Sequence, residues 1–174
     1  ASTDAVVAVD GTWTVTEGTE VGYFVLEDFA GGLSDSTALG STPAVEGTLE
    51  IVGDRATAAT FSADLTQLTS DESRRDSRAQ QVLQTDTFPS AVFTLTAPLA
   101  FGTPSEPEQI VSAEGTGDLT VRDVTMAVTV EVEAKREVEW IIGLGGNLRT
   151  AKNERGIAPG AKLDACLPEP SPAT

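Results

Sequence analysis

Residues 113–133 read "AEGTGDLTVRDVTMAVTVEVE", and their alternation decides the fold. Ala113, Gly115, Gly117, Leu119 and Val121 fall on one side of an extended chain. Glu114, Thr116, Asp118, Thr120 and Arg122 fall on the other. After "RD" the pattern resumes, with Met126, Val128, Val130 and Val132 on one face and Thr129, Glu131 and Glu133 opposite. Successive Cβ atoms of a strand point to opposite faces, so this period of two predicts a half-buried β-ribbon. Arg122-Asp123 then forms a tight hairpin, with Asp123 expected to take the positive φ that such a turn needs.

The same pattern extends outward along the chain. "TWTVT" (12–16) points Trp13 and Val15 one way, and "SAVFTLTA" (90–97) sends Phe93 and Leu95 to one side. "VEGTLEIV" (45–52) and "ATAATFSADL" (56–65) flank Gly53-Asp54 and read as a second hairpin. "VGYFVLE" (21–27) is apolar on both faces, as a strand covered on both sides would be. With "EVEWII" (137–142) about eight short strands result, mostly neighbours in an antiparallel meander. One apolar and one polar face, repeated this often, favours a closed barrel or a sandwich. The interior of an eight-stranded barrel has space for one small or elongated ligand. Gly115 and Gly117 on the inward face either leave such space or mark bends.

One helix interrupts the strands, between the fourth and the fifth. "TSDE" (69–72) fits a capping box with Thr69 as N-cap and Glu72 three residues on. Arg74, Arg75 and Arg78 follow, Val82 and Leu83 supply its last apolar contacts, and Phe88-Pro89 ends it. Such a helix is placed to close one end of a barrel.

Composition narrows the function. The chain has 174 residues, 27 acidic and 11 basic side chains, and no histidine. An acidic surface repels phosphate backbones, so no nucleic-acid partner is expected. Without histidine the commonest metal ligand and the usual triad base are missing. Cys166 stands alone, which excludes an internal disulfide, a CxxC pair and a cysteine zinc site. No metal, cofactor or enzymatic activity is expected. Asp118 and Asp123 do not read as an acid–base pair, since one lies on a polar face and the other in a turn. "GLGGN" (143–147) lacks the lysine and the strand–helix context of a phosphate loop. The opening "ASTDAVVAVDG" suits a mature N-terminus left after signal cleavage, hence an exported protein.

Several ordered motifs together resemble the YceI-like family, in its actinobacterial branch. These are "DGTWTV" with "VGYFVLEDFAG", "TALGSTPAVEGTLEI", "ADLTQLTSDESRRD" with "FPSAVFTLTAPL", and "GTGDLTVRDVTMAV". They span about Asp10 to Glu133. The resemblance implies an all-β, antiparallel lipocalin-like barrel with one inserted helix, exported to the periplasm, cell envelope or exterior. It implies non-enzymatic binding of a long-chain isoprenoid or another lipid in the barrel interior.

The sequence also departs from that pattern. Asp123, Met126 and Ala127 stand where the family usually has Gly, a basic residue and Pro. The family's later aromatic strand and its last "G-T-L-E" strand have no counterpart. Residues 1–134 carry 22 acidic and 5 basic side chains, against 5 and 6 in 135–174. The chain therefore divides into a barrel domain, 10–142, and an atypical tail, 143–174, expected to be disordered. A barrel short of its closing strands would keep an open edge through which copies could associate.

The candidate ligand-lining residues are Tyr23, Val25, Phe61, Leu65, Phe93, Leu95, Leu119, Val121, Val128 and Val130. Burying an isoprenoid chain against them gains about 0.8 kcal/mol per methylene, so such a site needs shape rather than a motif. Arg75-Asp76 is either a headgroup contact at the barrel mouth or a solvated helix pair. The alternative to lipid binding is a structural barrel with a solid core that docks protein partners through its acidic surface.

Overall fold

The computed structural model describes residues 10–15, 17–27, 36–102, 110–136, 140–144 and 161–164. In chain order the first elements are β1 (Gly11–Thr14), β2 (Thr19–Glu27), β3 (Ser36–Thr42), β4 (Val45–Val52) and β5 (Arg55–Asp64). A 3-10 turn (Leu65–Gln67), β6 (Thr69–Ser70) and the helix α1 (Ser73–Leu83) follow. Then come β7 (Ser90–Leu95), β8 (Leu99–Ala100), β9 (Ile110–Val121), β10 (Val124–Arg136), β11 (Trp140–Leu144) and β12 (Ala161–Asp164).

The fold is mostly antiparallel β with one helix, as the alternation predicts. The larger sheet runs β1-β4-β5-β7-β9-β10-β11, with β8 also paired to β5. The smaller runs β12-β2-β3-β6, and only its β12–β2 ladder is parallel. No ladder joins the two sheets among the described residues, so hydrogen bonds do not close the barrel. The sheets approach each other where β2 lies beside β4 and β12 beside β11.

Both hairpins read from the sequence form. Val52 pairs with Arg55 around Gly53 (φ 64), whose N–H donates to Asp10 Oδ1 at 2.6 Å. Val121 pairs with Val124, but the positive φ falls on Arg122 (60) and not on Asp123. The register of the ribbon decides which turn residue must bend, and it chooses the arginine.

The sequence pattern does not mark β3, for a physical reason. Its alternating positions Ala38, Gly40 and Thr42 are small, and the Tyr23 ring of β2 takes the space over Gly40. A Cβ there would stand 2.5 Å from Tyr23 Cε1. β2 is not covered on both sides: Phe24 is 41% exposed opposite Leu39, itself 56% exposed.

The helix differs from the capping-box expectation. Thr69 and Ser70 pair with β3, and α1 starts after Glu72, which makes no side-chain cap. Asp76 reaches back instead, accepting from Ser70 N (2.7 Å) and Ser70 Oγ (2.6 Å). Inside the first turn this carboxylate also suits the positive end of the helix dipole. A left-handed Gln84 (φ 53) ends the helix, with Thr85 N–H donating to Gln80 O at 3.2 Å. Val82 is exposed and no helix residue is fully buried. The helix therefore flanks the 3-10 turn and β6 rather than inserting an apolar face.

At the other end of the molecule, β10 returns as β11 with Arg136 opposite Trp140. Of the segment read as a tail, Gly143, Leu144 and the strand Ala161–Asp164 are described. The expectation for 145–160 and 165–174 lies outside the described residues.

Candidate functional site

Register assembles the candidate face from four strands. Phe61 of β5 faces Phe93 of β7, Phe93 faces Leu119 of β9, and Leu119 faces Met126 of β10. The next row joins Leu95, Gly117 and Val128, and the row beyond it pairs Gly115 with Val130. Toward the helix, Ala91, Val121 and Val124 form a row of their own. Seven of the expected lining residues thus share one side of the larger sheet: Phe61, Phe93, Leu95, Leu119, Val121, Val128 and Val130.

The other three lie elsewhere. Leu65 is buried in the 3-10 turn at the sheet's end. Tyr23 belongs to the smaller sheet, half-buried over Gly40. Val25 lies in the same strand opposite Ala38, and its side chain lies outside what is described.

Burial grades along this face from one end to the other. Around the Gly53-Asp54 hairpin it is filled by Trp13, Leu49, Ile51, Ala56, Ala59, Leu99, Phe101 and Val132. Phe61, Leu95 and Val130 pack against that cluster. Toward α1 the packing thins: Leu119, Val121 and Val128 are half-buried, Met126 is 46% exposed and Val124 is 52% exposed. Sequence reasoning passed over Met126, although its place in the alternation marks it as an inward residue.

The inward glycines do not bend the strand, and only Gly115 leaves space, enough for a methyl. The β9–β10 register runs unbroken through both. A Cβ on Gly117 would stand 2.4 Å from Phe93 Cζ and 2.6 Å from Thr94 O, so the phenyl ring already occupies that site. A Cβ on Gly115 would stand 3.5 Å from Leu95 Cδ1 and 3.6 Å from the Leu99 methyls, ordinary contact distances.

Among the described residues, charge is kept to the outer face and the ends. Glu114 and Glu131 stand directly opposite each other there, a mildly destabilising arrangement. Asp118 and Asp123 are both exposed. Arg75 and Asp76 are engaged close to home: Arg75 pairs with Asp71 and lies 3.7 Å from Glu72, while Asp76 holds Ser70. Asp64 caps the 3-10 turn, accepting from Thr66 Oγ1 (2.6 Å), Thr66 N (2.9 Å) and Gln67 Nε2 (3.0 Å). The Thr66 hydroxyl, then the Gln67 amide and the Thr66 N–H, hold this carboxyl below its ordinary value against a small opposing effect of burial. Among the described residues no three acidic or cysteine side chains gather as a metal ion would require. The "GLGGN" stretch has only Gly143 and Leu144 among the described residues, both in β11.

Comparison with known proteins gives the following. No curated protein matches the chain. A crystal structure of a mutant CJ YCEI protein with a monobromobimane guest aligns at 15% identity and a TM-score of 0.49, over 62% of this chain and 61% of that one. Two further mutants of the same protein, made for nanotechnology applications, align at TM-scores of 0.49 and 0.47 and identities of 15% and 16%. They cover 62% and 63% of this chain, and 61% and 63% of their own. This chain thus spans about three fifths of the solved proteins it matches. The model of the YceI-like domain matches residues 13–160, most of the chain. The chain belongs to the YceI-like family.

Proposed function

We propose that this protein binds a long-chain isoprenoid or a similar amphiphilic lipid on the inward apolar face, as a non-enzymatic carrier or sequestering protein. The observation that carries the reading is the partly uncovered apolar surface at the α1 end, in a chain of the YceI-like family. Val124 and Met126 are presented to solvent beside Leu119 and Val121, on the face that elsewhere is the core. Surface of this kind gains about 25 cal/mol per Å² when a ligand covers it. Its lining is aliphatic and aromatic, with no acid–base pair, which favours binding over catalysis. Export fits the acidic outer surface, with 27 acidic against 11 basic side chains.

A second reading keeps a specific observation in its favour: Phe93 over Gly117 and the cluster around Trp13 pack much of the interior solidly. On that reading the protein is a docking module, using its acidic surface or the edge strands β1 and β11 to meet a protein or another copy. Uptake of a fluorescent polyprenyl probe separates the two. Saturable uptake at one probe per chain supports lipid binding, and none supports the docking module.

A further inference from the structure

Met126 is the chain's single methionine. Register sets it opposite Leu119, in the row that continues through Phe93 to Phe61, with Val124 and Val128 on either side along β10. Among the described residues it brings the one sulfur to a face otherwise built from aliphatic and aromatic side chains. Cys166, the other sulfur of the chain, lies outside the described residues.

The surroundings leave this sulfur open to reagents. Met126 is 46% exposed, and residues 123–127 are all exposed, so this tip of the β9–β10 ribbon stands clear on both faces. β11 pairs with β10 only over 132–136, so among the described residues no strand runs along the outer edge of β10 beside Met126. The Trp13 indole, another readily oxidised group on this face, is buried at the filled end.

A thioether this accessible is oxidised without unfolding the chain. Its sulfur attacks a peroxide oxygen: an S–O bond forms, the O–O bond breaks, and the departing hydroxide takes up a proton to leave as water. Sulfur is oxidised and the peroxide is reduced. The sulfoxide puts a polar acceptor where a flexible apolar side chain stood, and a methionine sulfoxide reductase restores the thioether. In a filled core that change breaks packing. At Met126 the fold loses little, because the side chain is already half open to water. The cost falls on whatever covers the row, which must then bury an unpaired sulfoxide oxygen.

We infer that Met126 is a reversible oxidation site, at which peroxide turns the open end of the apolar face from a surface that accepts lipid into one that refuses it. This rests on the lipid-binding reading above and adds to it a means of regulation.

The test treats the full chain with hydrogen peroxide in the absence of denaturant. Mass, urea midpoint and affinity for a fluorescent polyprenyl probe are read before treatment, after it, and after a methionine sulfoxide reductase has acted. Treated protein should gain one oxygen atom, mapped by peptide mass to Met126, and keep its urea midpoint. It should bind the probe at least about tenfold more weakly, the scale of one unpaired polar group in an apolar site. The reductase should restore the affinity. Met126→Leu still carries Cys166, and its affinity, whatever its value, should be the same before and after peroxide. Unchanged affinity in the oxidised wild type would overturn the inference and leave lipid binding standing. So would oxidation of Met126 that requires urea, a collapse of the urea midpoint on oxidation, a loss the reductase does not reverse, or an equal loss in Met126→Leu. If the untreated protein takes up no probe, the lipid-binding reading falls and this switch with it.

Discussion

The two ends of the inward face are built from the same alternation and do opposite things. At the Gly53-Asp54 end, Trp13 is 3% exposed and Val132 1%, and β8 and the residue after it bring Leu99 and Phe101 into the same cluster. At the α1 end, the rows through Met126 and Val124 continue the pattern, but no element among the described residues covers them so completely. The helix that might have done so has a polar, arginine-bearing sequence and lies against the 3-10 turn and β6. One end is thus core and the other is surface of core character.

The largest effect should come from breaking the filled end. Trp13→Ala removes a buried indole that packs with Leu49 and Ile51, and it should cost about 3–5 kcal/mol of unfolding free energy in urea denaturation. A cost below about 1 kcal/mol would mean that this end is not the core.

The two inward glycines give a finer contrast within one strand. Gly117→Ala drives a methyl into Phe93 and Thr94 O and should destabilise by about 1–3 kcal/mol. Gly115→Ala meets only the ordinary contacts of Leu95 and Leu99, so it should be neutral or stabilising by up to about 1 kcal/mol. Equal effects of the two would show that Phe93 does not rest on Gly117.

At the open end the expectation reverses. Met126→Asp should change stability by less than about 1 kcal/mol, because the side chain is already 46% exposed. It should nevertheless abolish uptake of a polyprenyl probe, read by fluorescence, because it puts a charge where the chain would lie. Retained uptake would place the ligand elsewhere.

The smallest effect concerns the turn beneath α1. The Asp64 carboxyl is held below its ordinary value in the folded state, so its contribution is present above the unfolded-state value and lost as pH falls through the folded one. Asp64→Asn should therefore lower the urea midpoint slightly near neutral pH and not at all in strong acid. A difference that persists in strong acid would point to lost geometry rather than lost charge.

What was legible in the sequence follows from these contrasts. The β9–β10 ribbon, the Gly53-Asp54 hairpin and the helix between β5 and β7 all announce themselves by alternation, turn chemistry or composition. Strand β3 does not, because its inward positions are small and its packing comes from Tyr23 of another strand. The capping box places the helix start too early because Asp76, six residues on, accepts from Ser70 and the helix begins only after Glu72. For the candidate site, periodicity placed seven of ten residues on one face. It could not say which of them the core would claim, since Phe61, Leu95 and Val130 pack against the filled end while Met126 stays exposed.

The most direct test of the central claim, that the open end of the apolar face holds a lipid, is native mass spectrometry of untagged protein purified from its source, followed by organic extraction. The account predicts one amphiphile per chain, with a long apolar tail, released into the organic phase. A mass equal to that of the bare chain, with no extractable lipid and no uptake of an added polyprenyl probe, would contradict it.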